Sequence, residues 1–156
     1  MQVLEHIQDA TEAGANSVLV LPCAYFGPAT TPQVLEAFYG QVATHSTLPI
    51  VIYSFPGVCN GVGLDSAFVT AMAQRHSNIV GVKLTCGSVA KITRLAAALP
   101  RNQFAVFGGQ SDFIIGGMSS ESSGCIAAFA NVFPKTIARI YALYQDGRTD
   151  EALALH

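Results

Sequence analysis

Five short apolar runs, each separated from the next by a stretch of helical periodicity, restrict this chain to parallel-sheet architectures. The runs are SVLVL (17–21), IVIYS (50–54), NIVGVKLT (78–85), FAVFGG (104–109) and GCIAAFAN (124–131). Strands that are apolar on both faces are covered on both faces, and parallel neighbours need a crossover between them. The intervening segments supply those crossovers. Gln33–Thr44 carries Val34, Leu35, Phe38 and Val42 on one face, and Asp65 can cap a helix bearing Phe68, Val69 and Met72. Ser88 can cap the helix of Ile92, Leu95 and Leu99, and Pro134 opens one with Ile137, Ile140, Tyr141 and Tyr144, ended by Asp146-Gly147. A first helix puts Val3, Leu4, Ile7 and Ala10 together and stops at Gly14, and a last one covers Glu151–His156. Both ends of the chain read as cut within a larger fold. Two architectures fit this α/β grammar: an open doubly wound sheet, or part of a (β/α)8 barrel.

Composition narrows the function. Charged residues make up 12% of the 156 residues, about half the ~25% of an ordinary soluble domain. The net charge is −2, with eight Lys plus Arg against ten Asp plus Glu, so no basic excess exists to grip nucleic acid. No phosphate-binding glycine motif opens a helix, so nothing supports a nucleotide fold. The charge-free stretch from Gly14 to Leu35 is broken by Pro22, Gly27, Pro28 and Pro32, and so is no membrane span. The N-terminal residues Glu5, His6, Asp9 and Glu12 are unlike a signal or transit peptide. Cys23, Cys59, Cys86 and Cys125 form no C-x-x-C pair. They read as small buried hydrophobes in a reducing compartment, and the expected localisation is cytoplasmic.

In either architecture a ligand site lies beyond the carboxyl ends of the strands. Lys83 stands there, inside NIVGVKLT, between apolar neighbours. Burial drives an amine towards its neutral form, and the neutral form attacks carbonyls. The alternative is a strand-end lysine whose stem lies on apolar surface while its head reaches water. Tyr53 stands one strand earlier, and neighbouring strands are about 4.8 Å apart, so a phenol and an amine can share one pocket. Its alternative is a core tyrosine with a satisfied hydroxyl.

IVIYSFPG, NIVGVKLT, FAVFGGQSD and GCIAAFANVFP, in that order, resemble the pyruvate-dependent class I aldolase family. That family includes dihydrodipicolinate synthase, N-acetylneuraminate lyase and 4-hydroxy-2-oxoglutarate aldolase. The resemblance implies a (β/α)8 TIM barrel, with residues 1–156 one partial domain holding about strands four to eight. It implies Lys83 as the Schiff-base lysine and Tyr53 as the acid/base tyrosine of a Tyr-x-x-Pro motif. It implies Tyr25, in PCAYFGP, as the tyrosine lent to a neighbouring subunit's proton relay, hence a homo-oligomer. It also implies that Gly109 and Ile126 line the pyruvate pocket, where free backbone donors would suit a carboxylate or oxyanion. The expected substrate is a small 2-oxo acid, formed from or cleaved to pyruvate and an aldehyde, with no cofactor or metal.

Two departures shape that expectation. The synthase carries an arginine two residues after the motif proline, and Val58 stands in its place. This favours 4-hydroxy-2-oxoglutarate or a 2-keto-3-deoxy sugar acid over a dihydrodipicolinate synthase-type condensation, and FGGQSD leans towards the sugar acid aldolases. The family's Gly-Thr/Ser-rich segment after strand two is absent, which keeps a catalytically silent, metabolite-binding fragment as an alternative. His6, His45 and His76 fall in or at the ends of helices without ligand spacing, and Asp112 and Glu121 read as helix-flanking caps or solvent-facing acids. Cys86 reads as a bystander thiol.

Overall fold

The computed structural model describes residues 1–156. Five strands, β1 (Val18–Val20), β2 (Ile50–Ser54), β3 (Ile79–Leu84), β4 (Ala105–Gly108) and β5 (Gly124–Cys125), form one parallel sheet. The helices are α1 (Gln2–Glu12), α2 (Pro32–His45), α3 (Ser66–Arg75), α4 (Val89–Ala98), α5 (Ile114–Ser119), α6 (Pro134–Gln145) and α7 (Thr149–Leu155). Their starts follow from local chemistry. Asp65 Oδ1 accepts from the Phe68 N–H at 2.7 Å, and Ser88 Oγ from the Lys91 N–H at 3.3 Å. Thr31 caps α2, where Pro32 occupies the first turn and no backbone N–H is needed.

Strand order decides between the two architectures. The order is β1-β2-β3-β4-β5, so every strand pairs with its sequence neighbour. With right-handed crossovers throughout, such an order places all connecting helices on one side of the sheet. A doubly wound sheet reverses its order and is covered on both sides; this arrangement is instead an arc of a (β/α)8 barrel.

The outward-facing residues Val20, Ile50, Ile52, Val82, Leu84 and Val106 are buried with Leu35, Tyr39, Val42, Val69, Met72, Ile92 and Leu95 in one core. A second, smaller core joins Ile114, Ile115 and Met118 of α5 to Ile137, Ile140 and Leu143 of α6 and Ala152 of α7. On the other face the register aligns Leu19, Val51, Gly81 and Ala105 in one row and Tyr53, Lys83, Phe107 and Gly124 in the next. Leu19 is exposed there, and Val51, Tyr53 and Phe107 are half-buried. No helix is long and apolar enough to cross a membrane.

Two expectations need correction. The run 124–131 is not one strand: β5 ends at Cys125, and Ala128–Asn131 forms a 3-10 turn. The expected strand tip at Phe129-Ala130-Asn131 is therefore a turn that folds over the sheet end. Of the cysteines only Cys59 is buried, and the other three are half-buried. All four are free.

Candidate active site

The site is built on a single rung of the parallel ladder. Tyr53 of β2 and Lys83 of β3 are register partners, so their side chains leave the same face side by side. The Lys83 amine lies 4.1 Å from the centre of the Tyr53 ring. Lys83 is 9% exposed, and it takes part in no salt bridge. The Tyr53 ring is in turn stacked on Phe55, with centroids 5.7 Å apart.

Two residues further along β3's direction, Thr85 reaches the same face. Its N–H donates to Ser54 O at 2.9 Å, which prolongs the ladder past Leu84. Its hydroxyl is buried and has no hydrogen-bond partner in the protein. A buried, unpaired hydroxyl is costly, and this one lies in the cavity wall beneath Gly109. Gly109 packs flat against it. A Cβ at position 109 would collide with Thr85 Oγ1 and lie 2.6 Å from Thr85 Cα, so the close approach of the two backbones requires glycine.

Tyr53, Phe55, Lys83, Thr85, Gly109, Gln110, Ser111, Asp112, Ala128 and Phe129 enclose a cavity of about 330 Å³ at the carboxyl ends of the strands. That volume lies at the small end of ligand pockets. Lys83 is its one cation and Asp112 its one anion. A larger cavity, about 580 Å³, opens at the opposite ends of the strands, but no titratable side chain lines it.

The structure thus brings Tyr53, Lys83 and Gly109 together. It places Ile126 and Tyr25 outside the cavity lining. Tyr25 stands 89% exposed on the rim beyond β1, edge-on to Phe26 with ring centroids 5.2 Å apart. The expectation of free backbone donors at Gly109 and Ile126 is corrected. Each N–H continues the sheet, to Leu84 O and Gly108 O respectively, both at 2.9 Å. Of the two readings of Asp112 the solvent-facing one holds: it is exposed and caps no helix by its side chain, and the 3-10 turn Ser111–Phe113 sets it at the edge of the cavity. Val58 is 61% exposed and not part of the lining. Thr85, Phe55 and Phe129 were not singled out by sequence. Thr85 could have been, because residues two apart on a strand share a face.

Burial pushes the Cys59 and Cys125 thiols up, holding them protonated at neutral pH. Tyr39, whose hydroxyl donates to Val20 O at 3.0 Å, is raised further by burial and by the Cys59 and Cys23 thiols. No group of three or more His, Cys, Asp or Glu side chains converges anywhere in the chain.

Comparison with known proteins identifies the family and the fold. A mitochondrial protein of Coccidioides immitis, provisionally named 4-hydroxy-2-oxoglutarate aldolase, is 65% identical over 155 residues, which is 99% of this chain and 49% of that protein. An L-threo-3-deoxy-hexylosonate aldolase of Hypocrea jecorina is 39% identical over 150 residues, covering 92% of this chain and 47% of the relative. The crystal structure of YagE, an E. coli K12 prophage protein of the dihydrodipicolinic acid synthase family in complex with pyruvate, superposes with a TM-score of 0.90. It is 29% identical and covers 99% of this chain and 52% of its own. The chain therefore spans about half the length of the curated relatives it matches. The family pattern for dihydrodipicolinate synthetases matches residues 2–156, and this chain belongs to the dihydrodipicolinate synthetase family.

Proposed function

We propose that Lys83 is the Schiff-base nucleophile of a class I aldolase acting on a 2-oxo acid. The observation that carries this reading is Lys83, buried and without an ion-pair partner, with its amine against the Tyr53 ring in a cavity that Thr85 also lines. The neutral amine adds to the ketone carbon, giving a carbinolamine. Loss of water forms an iminium, which draws electrons from the bond between carbons 3 and 4 of the substrate. A base takes the proton of the carbon-4 hydroxyl, that bond breaks, and the aldehyde leaves. The remaining enamine is protonated at carbon 3, and water hydrolyses the resulting imine to release pyruvate. Tyr53 moves the protons at the iminium, and Tyr25, projecting from the rim, serves the relay of a second copy.

Residues 1–156 act in this reading as one partial (β/α)8 domain, and turnover belongs to the closed barrel. The names of the two fungal relatives support 4-hydroxy-2-oxoglutarate or a 2-keto-3-deoxy sugar acid as the substrate. A condensation of the dihydrodipicolinate synthase kind is less well supported, because Val58 provides no cation for a second carboxylate. The free cysteines fit a thiol-reducing compartment. The sequence points to the cytoplasm, and the name of the Coccidioides relative points to the mitochondrion.

Borohydride reduction in the presence of pyruvate, followed by peptide mapping, tests the reading. A reduced pyruvoyl adduct on Lys83 is the expected result, and a folded chain without one overturns it. A second reading, a metabolite-binding unit without turnover, is favoured by the unpaired outer edges of β1 and β5. It predicts pyruvate affinity that survives Lys83→Ala.

A further inference from the structure

Asn60 is one of two non-glycine residues with a left-handed backbone, at φ +51°. Asparagine tolerates that conformation better than most residues, yet it remains a strained choice. The turn that holds it is tight: the Cys59 N–H donates to Phe55 O at 3.1 Å, and the Gly61 N–H to Pro56 O at 3.0 Å. This turn leaves β2 directly, so it is a rigid extension of the strand that carries Tyr53.

The Asn60 side chain reaches from there to the segment after β1. Its Nδ2 donates to the backbone carbonyl of Tyr25 at 3.3 Å. The amide lies so close to Gly27, itself at φ +52°, that a Cβ there would be 2.7 Å from Asn60 Nδ2. Glycine at 27 and asparagine at 60 fit each other, and the contact joins the Tyr53 strand to the main chain of Tyr25.

We propose that Asn60 is the positioning residue for Tyr25, fixing the direction in which that tyrosine leaves the rim relative to Tyr53 and Lys83. The inference rests on the reading of Tyr25 as a proton-relay group presented to a second copy. The chemistry selects asparagine. Glycine would accept the backbone conformation but offer no donor, and aspartate would set an acceptor against the Tyr25 carbonyl.

The test compares Asn60→Gly, which keeps the backbone and removes the amide, with Tyr25→Phe and the double variant. Three readouts are taken: amide hydrogen exchange of residues 24–30, borohydride trapping of pyruvate on Lys83, and deuterium uptake into the pyruvate methyl group from D2O. Trapping needs only the amine, whereas methyl exchange needs a proton transfer after the imine has formed. Asn60→Gly is expected to speed amide exchange in 24–30 about tenfold while changing trapping less than about twofold. Methyl exchange is expected to fall about tenfold or more, as in Tyr25→Phe, with no further loss in the double variant. Wild-type amide exchange in Asn60→Gly, or additive losses in the double variant, overturns the proposal. Absence of trapping in the unsubstituted chain sinks the Schiff-base reading instead, and amide exchange still decides whether Asn60 holds Tyr25. Methyl exchange unaffected by Tyr25→Phe removes Tyr25 from the relay and overturns the inference with it.

Discussion

The Lys83 amine sits 4.1 Å above the Tyr53 ring because the two residues are partners on adjacent parallel strands. The ring and the hydroxyl of Tyr53 therefore have separable jobs. Tyr53→Phe keeps the face that the amine lies over and removes the hydroxyl proposed to transfer protons, whereas Tyr53→Leu removes both. Pyruvate trapping on Lys83 is expected to persist in Tyr53→Phe and to weaken in Tyr53→Leu, with methyl exchange reduced about 100-fold in both. Equal trapping in both variants would show that the ring face does not place the amine.

Thr85 pairs function against stability. Its buried hydroxyl has no partner in the protein, so the near-isosteric Thr85→Val removes an unsatisfied group and is expected to stabilise the chain by about 1 kcal/mol in urea unfolding. The same change is expected to slow pyruvate trapping, because the cavity loses a polar contact. A destabilised Thr85→Val, or one that traps as fast as the unsubstituted chain, counts against a ligand-facing hydroxyl.

Gly109→Ala is a packing test of the same wall. The added methyl meets Thr85 Oγ1 and the Thr85 backbone, and Gly109 is held in place by its own ladder bond to Leu84. Overpacking of this kind costs about 1–3 kcal/mol, so the urea midpoint should drop by a corresponding amount. An unchanged midpoint would mean that the β4 end shifts freely.

Alkaline pH should weaken the fold. Burial raises the Cys59 and Cys125 thiols. The unfolded chain loses those protons near pH 8.5, about the ordinary thiol value, while the folded chain keeps them. Above that pH the unfolded state binds fewer protons, so stability falls until the folded thiols ionise as well. Urea midpoints between pH 7.5 and 9.5, taken as about one unit either side of that value, should decline less in Cys59→Ala. An identical slope would assign the effect elsewhere.

Much of this was legible in the residues. The first four strands follow from continuous apolar runs, and the caps at Asp65 and Ser88 from their side-chain oxygens. Lys83 was conspicuous because a cation in an apolar strand demands a reason. Strand order was not legible in the alternation alone, which serves both a barrel and a doubly wound sheet; the resemblance carried by the four motifs implied the barrel order that the sheet has. The 124–131 run misled because apolar residues also cover the end of a sheet, where Phe129 and Phe133 pack ring to ring at 4.9 Å. Asp112 faces solvent as one of its two readings had it, but its position beside the cavity was not legible. Its place in the cavity wall comes from how the turn after β4 folds back, and no local pattern encodes that.

The sequential strand order has a further consequence, for how the chain comes apart. Each strand's ladder partners lie within one helix of it along the chain, so structure can be lost from an edge one βα unit at a time. β2 and β3 each have two neighbours and the longest ladder between them, while β5 is two residues long and paired on one side. Protection against solvent exchange should therefore peak at the Tyr53–Lys83 rung and decay outward. The Tyr53–Lys83 pair sits on the last part of the sheet to let go.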